Sequence, residues 1–114
     1  MLRICALAAG IVVAGGMAAQ AQQAPGMTTL WISINNIDKQ RCLQVAGQAV
    51  LDAGFGRNHE TVGNTVFGER GRYTAAARCV ADKNMLFIAV AGPDSNDTSR
   101  FATEVQTQAQ AAMK

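Results

Sequence analysis

The sequence is poor in the residues that most catalytic and metal-binding chemistry requires. It has one histidine, His59, and three cysteines. A single imidazole with no free thiolate does not make a transition-metal site of the usual kind unless carboxylates come from elsewhere. His59-Glu60-Thr61-Val62-Gly63 lacks the second histidine of a zinc-protease helix. Gly54-Phe55-Gly56 stops short of a dinucleotide fingerprint and follows a helical pattern rather than a strand. No serine sits in a nucleophile elbow. The carboxylates Asp52, Glu60, Glu69, Asp82 and Asp94 are scattered and single out no acid–base pair. The residues therefore name no catalytic group, no metal ligand and no cofactor.

An excess of one charge is missing as well. Without Arg3, nine basic residues face eight acidic ones, a net charge of +1. Nothing in that balance calls for nucleic acid, and no basic amphipathic helix calls for a membrane surface. No internal repeat or long linker interrupts the chain.

What is present begins with an export signal. Arg3 supplies the positive end, Ile4 to Val13 the apolar stretch, and Ala19-Gln20-Ala21 a small-residue cleavage site. The apolar part stops at Gln20, short of the ~20 residues a membrane span needs. Residues 1–21 are thus expected to be a signal peptide cut after Ala21 rather than a retained anchor, with no stable membrane insertion afterwards. Cys5 leaves with it. The remaining 93 residues make a leader at 22–27, expected to be disordered, and one domain at 28–114.

A domain of this size buries a modest core and often carries a staple. Export supplies the oxidising compartment, periplasmic or extracellular, in which a disulfide forms. Two cysteines remain, Cys42 and Cys79, and they allow one pairing. Closing that loop is worth about 4 kcal/mol in the chain-entropy treatment.

The patterning gives the elements. Thr28–Asn35 alternates, with Leu30, Ile32 and Ile34 on one side and Thr29, Trp31 and Ser33 on the other, as a half-buried strand does. Asp38 is a good N-cap for a helix whose apolar positions run from Cys42 to Ala53, and Gly54 closes it. The stretch 54–72 has five glycines and little regularity, leaving Thr61–Phe67 open between strand and loop. Tyr73–Val80 and Met85–Ala91 read as a hairpin around Asp82-Lys83-Asn84, and the second is the most apolar run of the mature chain. Asp94 or Ser95 caps a last helix with a stripe of Phe101, Ala102, Val105, Ala109 and Ala112.

This order, β-α-β-β-α, resembles a ferredoxin-like plait without its fourth strand. It implies an α+β fold with a three-stranded antiparallel sheet in the order 1-3-2 and two helices on one face. In that arrangement Cys42 and Cys79 fall at the same end of the fold, where a bridge ties helix to sheet. The signal, the cysteine of the first helix, the strand ending Arg78-Cys79-Val80 and the run from Phe87 to Asp94 are similar to small exported bacterial proteins. That resemblance rests on structural motifs and implies no activity.

Two surfaces stand out. If Cys79 faces the helices, so do Ala75 and Ala77, while Arg78 and Val80 face away. Leu86, Ile88 and Val90 inward would leave Met85 and Phe87 outward beside Trp31. The candidate interface is thus Trp31, Met85, Phe87 and Arg78, and the unpaired edge of the first strand could accept another chain. The expected partner is another protein or a second copy of this one. The second surface is a loop cluster in which Arg57, His59 and Glu60 are expected near Asp94 and Ser95, holding an anion at the start of the last helix. The functional reading is an exported binding or assembly module. Its alternative is a small periplasmic hydrolase or ligand-handling enzyme with a site around His59.

Overall fold

The computed structural model describes residues 25–114, so the expected signal and the first residues of the leader lie outside the described chain. Leu30, Ile32 and Ile34 point to one side of the first strand, β1 (Gly26–Ser33), and its continuation. β1 starts two residues earlier than the pattern implies and takes in Gly26 and Met27. Asp38 then accepts a hydrogen bond from the Arg41 amide at 2.8 Å and opens α1 (Lys39–Asp52), whose buried stripe is Cys42, Val45, Ala46, Ala49 and Val50.

After α1 the structure departs from expectation. Residues 57–70 form a hairpin of two strands, β2 (Arg57–Val62) and β3 (Thr65–Arg70), which leads into β4 (Tyr73–Val80) and β5 (Met85–Gly92). The sheet is five-stranded and antiparallel throughout, in the order β1-β5-β4-β3-β2. The three-stranded 1-3-2 sheet and the truncated plait are therefore corrected. Where the plait has a simple crossover into the strand of Cys79, this chain inserts a hairpin that widens the sheet on its far side.

Both tight turns of that insertion have a local cause. Val62 pairs with Thr65 across Gly63-Asn64, and Arg70 pairs with Tyr73 across Gly71-Arg72. Gly63 and Gly71 take φ of 60° and 59°, and their partners Asn64 and Arg72 do not turn positive. A left-handed glycine at the first central position is the two-residue turn whose twist matches antiparallel strands.

The last helix, α2 (Ser95–Ala112), is capped by Asp94, which accepts from the amides of Asn96 and Asp97. Both helices cover one face of the sheet. α1 lies over β3 and β4, and α2 lies over β1 and β5. Alanine makes this approach possible: Ala46 and Ala49 of α1 and Ala75 and Ala77 of β4 are fully buried. Cys42 and Cys79 are bonded, with Cα atoms 6.0 Å apart, and fasten the first turn of α1 to the end of β4. Among the described residues, no helix is long and apolar enough to cross a membrane.

Candidate functional site

Because both helices take the same face, side chains of the opposite parity are left on an outer face that no described element covers. The strand registers arrange them in rows. One row runs Trp31–Phe87–Arg78–Thr65–Val62 from edge to edge. A second holds Ser33, Met85 and Val80, and a third runs Thr29–Ala89–Ala76–Phe67–Glu60. Met27 begins the last row, which ends in Glu69 and Arg57. All four residues expected at the interface thus share this face.

Exposure is greatest at the β1 edge. Met27 is 68% and Trp31 60% exposed, and Val62 at the other edge is 57% exposed. Phe87, Phe67 and Met85 between them are half-buried by their neighbours in the rows. Arg78 is exposed at the centre, between Phe87 and Thr65, and has no ion-pair partner among the described residues. The charged side chains Arg57, Glu60 and Glu69 stay at the β2 and β3 side, where Arg57 pairs with Glu69 at 3.0 Å. The face is apolar towards β1 and charged towards β2.

The residues expected to form a ligand loop do not come together. Arg57, His59 and Glu60 belong to β2, one edge of the sheet. Ser95 packs against Gly26 at the start of β1, the other edge, with Asp94 beside it as helix cap. Four strand spacings separate the two groups, roughly 19 Å. His59 is drawn to the helix side where β2 bulges between Arg57 and Glu60. There its Nε2 donates to the Gly47 carbonyl at 3.2 Å, a bond to the body of α1. The described residues contain no group of three or more side chains able to hold a metal ion.

Between those two edges lies a cluster the sequence did not announce. The Phe101 ring carries the Arg70 guanidinium 4.2 Å from its centroid and the Arg100 guanidinium at 4.9 Å. Tyr73 and Phe55 meet the same ring edge-on. Arg70 Nη1 donates to the Ala53 carbonyl at 3.0 Å and to Glu104 at 2.9 Å, joining the ends of α1 and β3 to α2. The Tyr73 hydroxyl donates to Asp97 at 2.8 Å. Partial burial, with the Asp97 carboxylate next in weight, pushes the Tyr73 phenol above its ordinary value. The open groove beside this cluster has a volume of about 910 Å³ and is lined by Asp52, Arg70, Asn96, Arg100 and Glu104 among others. Its arginines are engaged by protein carboxylates and an aromatic ring, so the cluster clamps α2 in place. Arg70 gives no sign of this role in the sequence, because its ring partner Phe101 lies 31 residues further on.

Comparison with protein-family models, with curated proteins and with solved structures gives no significant match.

Proposed function

We propose that the mature chain is an exported binding or assembly module, and that its outer sheet face and adjoining β1 edge form one partner surface. The observation that carries this reading is Trp31. It is the sole tryptophan, more than half exposed, and it stands in register with Phe87 on a face that no described element covers. Aromatic residues, methionine and arginine are enriched where proteins meet, and tryptophan and arginine most often carry the binding energy. Met27, Met85, Phe67 and Arg78 complete that composition around it. The disulfide fits an oxidising compartment, in keeping with the export signal and a periplasmic or extracellular location. An enzymatic site around His59 receives no comparable support, since that imidazole is bonded to α1 and Asp94 and Ser95 lie away from the β2 strand that carries it with Arg57 and Glu60.

The test compares capture of partners from the native extract by wild type and by Trp31→Asp. Loss of a buried aromatic anchor costs about 2 kcal/mol or more, roughly a thirtyfold drop in affinity. Trp31→Asp should therefore release the captured partner while keeping the wild-type circular dichroism. Equal retention by both proteins overturns the reading.

A further inference from the structure

The hydrogen-bond alternation along β1 identifies which of its backbone groups are free among the described residues. The Ile34 amide donates to the Asn84 carbonyl at 2.9 Å, one step beyond the Ser33–Met85 pair. Bonded and non-bonded pairs alternate in an antiparallel ladder. Thr28, Leu30 and Ile32 therefore direct their N–H and C=O groups to β5, and Met27, Thr29, Trp31 and Ser33 direct theirs outward. The other side of the sheet gives the same parity. Cys79 donates to the Asn64 carbonyl at 2.8 Å, so odd residues of β4 face β3 and even ones face β5. That leaves the even residues of β5 for β1, in the pairs Leu86–Ile32, Ile88–Leu30 and Val90–Thr28.

The two edges of the sheet differ in how they meet solvent. β2 carries Arg57 and Glu60, bulges between them, and holds Asn58 at φ 51°. Charges and bulges of this kind keep an edge from pairing with other chains. From Gly26 to Ser33, β1 has no charge, no proline and no register shift over eight residues. It is a flat, neutral template for strand addition. With cleavage after Ala21, Gln22 to Ala24 supply about 10 Å of extended chain, too short to double back along it.

We propose that β1 pairs with β1 of a second copy of this chain, antiparallel about a two-fold axis, with Leu30 facing Leu30. The proposal rests on the surface reading above. A two-fold interface sets a strand against itself, and a charge-free strand puts no like charges in opposition. The free groups fix the register. Odd residues must face odd residues, so the axis passes through a residue, and Thr29 and Leu30 are the two that centre it on the eight residues of β1. An axis at Thr29 sets Ser33 against Pro25, which lies outside β1 and has no N–H. An axis at Leu30 pairs Thr29 with Trp31 and Met27 with Ser33, using every free group of β1. It also joins a β-branched residue to an aromatic one, a favourable cross-strand pair. Half-buried Leu30 meets its counterpart on the helix side as a close non-bonded pair. The two sheets become one, with both outer faces on the same side.

Cross-linking and sedimentation of the full mature chain test this. Leu30→Cys should form a covalent dimer under mild oxidation, because residues opposed on the axis are within disulfide reach. Thr29→Cys should not, because the two Thr29 positions are then diagonal neighbours about 8 Å apart. Wild type should sediment at twice the monomer mass at high concentration. Thr29→Lys, which charges the edge, should sediment as a folded monomer. A wild type that stays monomeric overturns the proposal. A covalent dimer formed by Thr29→Cys and not by Leu30→Cys overturns the register. Monomeric wild type together with Trp31-dependent capture from extract rejects the dimer and leaves the broader surface reading standing.

Discussion

Trp31 and Phe101 show how differently two aromatic residues of one small domain act. Trp31 is more than half in water, whereas Phe101 is buried under two guanidinium groups and against Tyr73. Trp31→Ala should change unfolding free energy by no more than about 0.5 kcal/mol, as surface substitutions do. Phe101→Ala should cost about 3–5 kcal/mol, the range for removing a core aromatic. Denaturant unfolding of the two variants checks the contrast. Tyr73, the sole tyrosine, offers a pH test. Its phenol is raised above 10 in the folded chain, first by desolvation and then by Asp97. The folded state thus holds this proton more tightly than the unfolded state, so the contribution is complete below the unfolded value near 10 and fades as pH rises through the folded one. Ultraviolet titration should show tyrosinate forming at higher pH in the native protein than in denaturant, and Asp97→Asn should reduce the difference. Coincident native and denatured curves would remove the Tyr73–Asp97 interaction from the account.

At the scale of elements, the stability of the fold depends on close contacts between its layers. A Cβ at Gly68 would fall on the Phe55 carbonyl oxygen and 2.7 Å from Val50 Cγ1, where the loop after α1 crosses β3. Gly68→Ala should destabilise by about 1–3 kcal/mol through overpacking. Replacing Cys42 and Cys79 by alanine should lower stability by about 4 kcal/mol, read as an earlier urea midpoint. The bridge was legible from the two cysteines left after the expected export signal, and the inward parity of Cys79, Ala75 and Ala77 from period-two alternation. The hairpin at 57–70 was not. β2 is an edge strand exposed on nearly every residue, so no apolar alternation marks it, and the bulge at Asn58 and His59 breaks what pattern exists. Its signal was turn chemistry: Gly63-Asn64 is a two-residue hairpin loop, and it fell inside a stretch whose five glycines looked merely irregular. The same omission explains the ligand loop. With three strands Arg57 and Asp94 would lie close together, and with five they stand at opposite edges.

For the whole molecule, the arrangement of helices on one face decides what is left to meet other proteins. Every polar edge device sits on β2, and the largest exposed aromatic sits on β1. This asymmetry is the basis for reading β1 and the outer face as the working surface of the chain. Amide hydrogen exchange, resolved by residue and followed over a dilution series, tests that claim most directly. Thr28, Leu30 and Ile32 should exchange slowly at all concentrations, because β5 holds them. Met27, Thr29, Trp31 and Ser33 should exchange fast in dilute protein and become protected together as concentration rises. Fast exchange at all four outward amides in concentrated protein would contradict the account.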